Sequence, residues 1–177
     1  MTDKADEPCL AGRADGLQPR ALEYLYSWGI GSEASEEGPI LNSTVFFRNG
    51  VKLFHDFSSQ CDSHYKGIHI ITQGQLEKIY IRDLLRHKVL VERCKSVGEF
   101  QVQTESDSSH PVKMTVRNLK SGETEILRAK YLIGADGAAS SIRRALEIPF
   151  DGLATNCFWA ILDCKFKTDY PHILGFK

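Results

Sequence analysis

The sequence predicts a mixed α/β fold: an α/β nucleotide-binding layer that carries an inserted antiparallel piece. Three observations predict it. Segments with apolar residues at helical spacing alternate along the chain with short apolar strands. The pair Asn49-Gly50 separates two apolar stretches, which is typical of a β-hairpin. A short apolar stretch at residues 131–134 runs into a glycine turn, and a helical segment follows it.

The bulk composition is that of an ordinary globular protein. The chain has 177 residues, of which 42% are hydrophobic and 25% are charged. Its 22 basic and 23 acidic residues give a net charge of −1, so neither nucleic acid nor an anionic membrane is expected as a partner. The first eight residues are polar and do not resemble a secretory signal, and no apolar run is long enough to span a bilayer.

The cysteines indicate a reducing compartment. There are five of them, and no CxxC pair occurs. Reduced thiols in a cytoplasmic protein are the simplest explanation. No metal site is predicted, because one group of potential ligands matches no common zinc spacing: Cys61, Asp62, His64 and His69.

In the first half of the chain, two helices and a hairpin are predicted. Residues 17–28 form a helix with Pro19 in its first turn and Gly29 at its end. Residues 76–86 form an amphipathic helix, whose inward side chains we expect to be Leu76, Ile79, Tyr80 and Leu84. The remaining predictions are a loop at 31–39, a hairpin at about 44–57 and a buried strand at 67–72.

In the second half, strands dominate. The pair Ser121-Gly122 joins two of them in a tight turn. The predicted strands are 89–94, 99–104, 112–119, 123–127, 131–134 and 157–166, and a short helix is predicted at 140–146.

The glycine turn around Asp136 is the first candidate for chemistry. Glycines at 134 and 137 flank one carboxylate, and a turn without side chains lets backbone approach a ligand closely. A carboxylate there can accept a hydrogen bond from a sugar hydroxyl, as in dinucleotide-binding folds. The alternative is that Asp136 only caps the following helix. The spacing by itself leaves both interpretations open.

Two loops supply further candidates. Arg13 could pair with a phosphate, and Asp15 could act as a base toward a phenol. Alternatively, Asp15 caps the helix that follows and Arg20 pairs with Glu23 on its surface. In the second loop, Gln73 has an amide that can both donate to and accept from a polyol.

These segments resemble the FAD-dependent aromatic hydroxylases of the phenol 2-monooxygenase and hydroxybenzoate hydroxylase type. The matching pieces are GRADGLQPRALEYLYSWGI, TQGQLEKIYIRDLL, YLIGADGAASSIRRAL and WAILDCKFKTDYP. They occur in the family's order and extend from Gly12 to Pro171. The GADG segment followed by SSIRRAL indicates the flavin hydroxylases, and RADGLQPR indicates the phenol hydroxylase branch.

The resemblance implies a role for each matching residue. Asp136 and Gly137 would contact the FAD ribose and serve reduction by the pyridine nucleotide, and Gln73 would lie near the ribityl-phosphate stretch. Arg13 would lie beside the flavin, and Asp15 would be the active-site carboxylate that helps to deprotonate a phenol. Trp159 and Asp163 would have structural roles in the strand that opens the substrate-binding part.

The implied function is the hydroxylation of a small phenolic or aromatic substrate, with FAD as cofactor and NAD(P)H as co-substrate. The implied domains are a polar tail at 1–11, a partial Rossmann-like FAD-binding domain at 12–150, and the start of a substrate-binding domain at 151–177.

The chain departs from the family pattern in one large respect. No GxGxxG sequence occurs, so the N-terminal βαβ unit that binds the ADP half of FAD is expected to be missing, and the substrate sheet is expected to be incomplete. A missing central strand predicts marginal stability or self-association through unpaired sheet edges. A competing hypothesis is therefore a catalytically inactive remnant, or an interaction module, that does not bind FAD alone.

Overall fold

The computed structural model describes residues 1–10, 14–57, 61–103, 109–158 and 167. The described chain forms two units. The first contains Met1 and residues 5–92, and the second contains residues 2–4 and 93–158. Both combine helix and antiparallel sheet, so the predicted mixed α/β class is confirmed.

A small three-stranded antiparallel sheet lies in the first unit. Its strands are β1 (Gly16–Leu17), β2 (Ile40–Leu41) and β5 (Ile68–Ile70). The central strand is β5, because it pairs with β1 on one side and β2 on the other. The strand predicted at 67–72 is therefore confirmed.

Three helices cover this unit: α1 (Pro19–Ser27), α2 (Gly31–Glu36) and α3 (Gln73–Arg86). The first begins with Pro19, where a missing N–H costs nothing, and Gly29 follows its end at φ 81°. Both predicted helices are confirmed. The expectation that Tyr80 faces inward is wrong, because α3 turns Ile79 toward the core and leaves Tyr80 36% exposed.

The predicted loop at 31–39 is wrong, because α2 occupies most of it. The composition of this segment is polar, yet Ala34 is only 1% exposed and packs in the core of the unit. Tertiary packing therefore stabilises a helix that the local sequence does not predict. The buried core consists of Leu22, Leu25, Ile30, Ala34, Ile71 and Ile79.

The predicted hairpin is confirmed. Strands β3 (Ser43–Arg48) and β4 (Val51–Phe57) pair antiparallel around Asn49-Gly50. Asn49 and Gly50 have φ values of 51° and 79°, the conformation that this turn requires.

The second unit is built on an antiparallel sheet of β6 (Lys95–Val102), β7 (Val112–Asn118) and β8 (Thr124–Ala129). Its core contains Val112, Met114 and Val116 from the central strand. The strands predicted at 112–119 and 123–127 are confirmed. The strand predicted at 89–94 is wrong, because this segment forms only an isolated bridge at Glu92 and Cys94 adopts φ 58°. The strand predicted from residue 99 begins earlier, at Lys95.

The helix predicted at 140–146 is confirmed as α4 (Ser141–Ala145). The strand predicted at 131–134 is wrong. No strand of the described residues pairs with this segment, and Tyr131 and Ile133 are 74% and 86% exposed. A strand requires a hydrogen-bonded neighbour, so apolar composition alone does not make one. Of the strand predicted at 157–166, Cys157 and Phe158 lie in no strand and the rest lies outside the described residues.

Candidate functional site

The predicted site residues fall in both units. Asp15 and Gln73 belong to the first unit, and Asp136 and Gly137 belong to the second. Arg13 lies outside the described residues, as do Trp159 and Asp163. The residues of each unit are therefore described separately.

Asp15 immediately precedes β1 and is half-buried. Its backbone carbonyl accepts a hydrogen bond from the Ile71 N–H at 2.9 Å, which extends the β1–β5 pairing by one step. Asp15 does not cap α1, because Gln18 occupies the N-cap position and makes no side-chain capping bond. The other part of that alternative is confirmed: the Arg20 guanidinium lies 2.7 Å from the Glu23 carboxylate on the surface of α1.

Gln73 is the first residue of α3 and is half-buried. The helix start is held by a capping box, in which the Thr72 hydroxyl accepts from the Gln75 backbone N–H and the Gln75 side chain accepts from the Thr72 N–H. Since Asp15 is bonded to Ile71, Asp15 and Gln73 lie at the same end of β5.

The N-terminal segment crosses the first turn of α3. A Cβ placed on Gly74 would lie 2.2 Å from the Cys9 carbonyl oxygen, so only glycine allows this approach. The Cys9 N–H donates to the Glu77 carboxylate at 3.2 Å. These contacts fix residues near Cys9, within the predicted polar tail, against the helix.

The Asp136 carboxylate is occupied by hydrogen-bond donors of the protein. Its Oδ1 accepts from the Ser140 hydroxyl at 2.5 Å. Its Oδ2 accepts from the Ser141 N–H at 2.6 Å, the Ser141 hydroxyl at 3.0 Å and the Ile142 N–H at 3.4 Å. The hydrogen bond from the Ser140 hydroxyl holds the pKa of Asp136 far below its usual range, and the hydrogen bonds from Ser141 add a smaller effect in the same direction. Ser140 is the N-cap residue of α4, and Asp136 accepts the N–H groups of the first two helical residues. The role of Asp136 toward a ribose stays a prediction.

The two glycines beside Asp136 serve different purposes. Gly137 adopts φ 83° and no atom lies within 4 Å of where its Cβ would be, so this side of the turn is open. A Cβ on Gly134 would lie 3.2 Å from the Ile142 side chain, so Gly134 allows the chain to pack on α4. An open turn at Gly137 fits a polar ligand that approaches the backbone. In the Asp136 carboxylate, Oδ2 accepts from three donors and Oδ1 accepts from the Ser140 hydroxyl.

Ser140 is a site residue that sequence reasoning missed. It is only 8% exposed, although its two neighbours in the sequence, Ala139 and Ser141, are exposed. Its hydroxyl donates to Asp136 and accepts from the Arg143 N–H at 3.0 Å. The spacing of a serine four residues after an aspartate, just before a helix, is the signal that could have indicated this capping arrangement.

The sequence matches the FAD binding domain family over residues 1–175. The chain therefore belongs to that family, a family of flavoproteins whose cofactor is FAD. Within the described part of the chain, no three side chains of histidine, cysteine, aspartate or glutamate come together as a metal would require. No helix of the described residues is long and apolar enough to cross a bilayer.

Two fungal relatives show where the similarity lies. An FAD-dependent monooxygenase of Aspergillus terreus is 68% identical over all of this chain, which corresponds to 25% of that protein. Phenol 2-monooxygenase fsqG of Aspergillus fumigatus is 30% identical over 98% of this chain and 29% of its own length. The chain thus spans between a quarter and three tenths of the length of these curated relatives.

Solved structures show the same fold. The p-nitrophenol 4-monooxygenase PnpA of Pseudomonas putida matches 86% of this chain and 38% of its own, with a TM-score of 0.73 and 20% identity. The flavin-dependent monooxygenase PieE, solved in complex with FAD and substrate, matches 86% of this chain and 28% of its own, with a TM-score of 0.72 and 21% identity.

Proposed function

We propose that this chain forms part of an FAD- and NAD(P)H-dependent monooxygenase that hydroxylates a phenolic ring. The observation that carries the proposal is the turn at Asp136-Gly137, which is open at Gly137 and rigidly held by α4. The match to the FAD binding domain family over residues 1–175 supports FAD as the ligand of this turn. The similarity to a phenol 2-monooxygenase supports a phenolic substrate.

In this function, bound FAD supplies the redox chemistry with O2 and NAD(P)H. The chain positions the cofactor. The backbone around Gly137 admits a polar part of it, since no side chain lies in the way. The Gln73 amide, at the start of α3, both donates to and accepts from a polyol such as the ribityl chain. By the sequence resemblance Arg13 would lie beside the flavin, and its guanidinium can pair with a phosphate.

Asp15 is the proposed base for the substrate. A carboxylate that removes or holds the phenolic proton makes the ring more electron-rich, which favours attack by an electrophilic oxygen. The bond between its backbone carbonyl and the Ile71 N–H fixes its main chain to the sheet. A fixed main-chain position beside the sheet is what a base needs for a defined reach to the substrate.

The test is retention of flavin. The chain is mixed with FAD and desalted, and its visible absorption is recorded. We expect a retained flavin band. We expect Gly137→Ala to lose most of it, because a Cβ closes the open side of a turn at φ 83°. The matched control is Gly122→Ala, which places the same strain at φ 78° in the β7–β8 turn, also in open space.

A chain that retains no flavin contradicts the proposal and favours the competing hypothesis of an inactive remnant or interaction module. Equal loss in Gly137→Ala and Gly122→Ala would show that flavin retention reports only on general backbone strain. If flavin is retained, Asp15→Asn is expected to keep the band and to lower phenol-dependent NADPH oxidation by about a hundredfold, the usual contribution of a general base.

A further inference from the structure

Asn49 and Gly50 form an exposed turn at the tip of the β3–β4 hairpin. Their φ values are 51° and 79°, and no atom lies within 4 Å of where a Gly50 Cβ would be. Among the described residues, no hydrogen bond involves the Asn49 side chain or the Gly50 N–H. The side-chain amide of Asn49 and the backbone nitrogen that follows it are therefore both unprotected.

The hairpin around this turn is held by the pairing of its own two strands. Every residue of β4 is exposed, and so are the last three residues of β3. A two-stranded hairpin with so little further packing is marginally stable in water, so its turn opens readily. Opening permits the rotation about the Asn49 Cα–C bond that brings the Gly50 nitrogen to the Asn49 side chain.

From these features we infer that Asn49 is a site of spontaneous covalent modification. The Gly50 nitrogen forms a bond to Asn49 Cγ, the Cγ–Nδ2 bond breaks, and the proton of the Gly50 N–H leaves with the side-chain nitrogen as ammonia. Water then opens the five-membered imide. Attack of water at Cγ gives aspartate, whereas attack at the backbone carbonyl gives isoaspartate, in which the main chain runs through the side chain. Water is the only co-reactant.

Asparagine is one of the thermally labile residue types, but the sequence around it decides the rate. Glycine leaves its own nitrogen uncovered, because it has no side chain. Each of the other three asparagines is followed by a residue with a side chain, which hinders the attack: Asn42, Asn118 and Asn156. Asn49 is therefore the asparagine of this chain that is most open to cyclisation.

Asn118 lies in the other two-stranded turn, between β7 and β8, and is held in place there. Its side-chain oxygen accepts from the Lys120 N–H at 2.9 Å and from the Ser121 N–H at 3.2 Å. The Leu119 N–H, which would be the attacking group, donates to the Cys94 carbonyl at 2.7 Å. Asn118 is thus a protected counterpart of Asn49 within the same chain.

The two products have different effects on the hairpin. Asp-Gly favours the same two-residue turn as Asn-Gly, so the aspartate form keeps the hairpin and adds a negative charge between Arg48 and Lys52. Isoaspartate lengthens the main chain by a methylene group inside the turn that sets the strand register. The isoaspartate form therefore loses the pairing of the two strands near the turn.

Peptide mapping by mass spectrometry tests the site. The whole chain is incubated at mildly alkaline pH, and the converted share of each asparagine is followed with time. We expect Asn49 to convert roughly tenfold faster than Asn118 or more, because two hydrogen bonds of the Asn118 side chain must break before it can react. Two product peaks are expected for the Asn49 peptide. If Asn49 converts no faster than Asn118, the inference is wrong.

Gly50→Ala and Gly122→Ala form a matched pair of variants. Each places a methyl group in open space in a hairpin turn, at φ 79° and 78°, but only the first covers the attacking nitrogen. Gly50→Ala should slow the conversion of Asn49 several-fold, and Gly122→Ala should leave it unchanged. An unchanged rate in Gly50→Ala, or equal slowing in both variants, contradicts the inference.

The effect on the hairpin is read by NMR from the contact between the rings of Phe46 and Phe54, whose centroids lie 5.9 Å apart. Asn49→Asp carries the new charge on an unchanged main chain and should keep this contact. The isoaspartate form, separated from the incubated chain by chromatography, should lose it. If the isoaspartate form keeps the contact, or Asn49→Asp loses it as well, the difference inferred between the two products is wrong.

Discussion

Two polar side chains, His69 and Ser140, are buried in the described part of the chain. Ser140 satisfies all its hydrogen-bonding groups, as a buried polar residue should. His69 does not. It is 6% exposed at the centre of the small sheet, between Leu17 and Ile40, and its Nδ1 has no hydrogen-bond partner. Burial lowers the pKa of His69, and a hydrogen bond with the Lys66 backbone partly opposes this.

The buried imidazole predicts a pH-dependent stability. Because the folded-state pKa lies below the unfolded value of about 6.5, the unfolded chain binds the proton more readily. The contribution of neutral His69 is therefore fully present above that pH and is lost as the pH falls below it. His69→Leu removes the titrating group. We expect its melting temperature to fall less than that of the wild type between pH 7.5 and pH 5, as measured by circular dichroism.

His87→Gln is the control for this prediction, since it removes an exposed histidine at the end of α3. Its pH profile should follow that of the wild type. If His69→Leu shows the same loss of stability at pH 5 as the wild type, the pH dependence has another origin.

At the scale of elements, charged side chains connect α2 to α3. The Glu33 carboxylate lies 2.7 Å from the Arg86 guanidinium and 2.9 Å from that of Arg82. Hydrogen bonds from these two arginines lower the pKa of Glu33, and the larger effect is that of Arg86. The pair of arginines is thus one of the tertiary contacts that favour a helix where the local sequence indicates a loop.

Glu33→Gln tests this contact. The folded-state pKa of Glu33 lies below its unfolded value, so its contribution is present above the unfolded pKa and is lost as the pH falls. We expect a small loss of thermal stability at pH 7 that shrinks in high salt and vanishes at low pH, because exposed ion pairs are weak and screened.

Glu36→Gln, on the same short helix, serves as the comparison. It removes the same charge and appears in none of the ion pairs above. An equal loss of stability in both variants would show that the net charge of α2, rather than the contact with α3, is what matters.

At the scale of the whole molecule, the β3–β4 hairpin exposes an apolar surface. Phe46 and Phe54 face each other across the strands, with ring centroids 5.9 Å apart, and remain 56% and 50% exposed. Phe57 is also mostly exposed, but it pairs with Ser43 and so lies on the opposite face of the hairpin. An exposed pair of aromatic rings is a common origin of association between protein molecules.

We therefore expect the chain to self-associate through the hairpin. The double substitution Phe46→Ser and Phe54→Ser should weaken association about tenfold or more, as measured by sedimentation at increasing concentration. The control is Leu153→Ser, which removes an isolated apolar side chain that is 95% exposed. If both variants associate like the wild type, unpaired sheet edges, as the sequence predicted, become the better explanation.

The sequence alone predicted the elements whose structure depends on residues that are close together in the chain. Helix α1 begins at Pro19, and Gly29 follows its end. Asn49-Gly50 forms the hairpin turn. The turn at Asp136-Gly137 leads into α4, as predicted. In each case the determining interactions are steric or lie within one turn of the chain, so they can be read from residue types. The family resemblance was recognisable from short segments because their residues match the family's motifs in the same order, and the match to the FAD binding domain family extends over residues 1–175.

Only the tertiary structure decided the rest. Whether residues 31–36 form a helix depends on a core that buries Ala34, and whether residues 131–134 form a strand depends on a hydrogen-bonded neighbour. At the site, the sequence identified Asp136 but could not tell whether its carboxylate was free. That depends on where Ser140 and Ser141 point, since a side chain's hydrogen-bond partners are fixed by three-dimensional geometry and not by residue type.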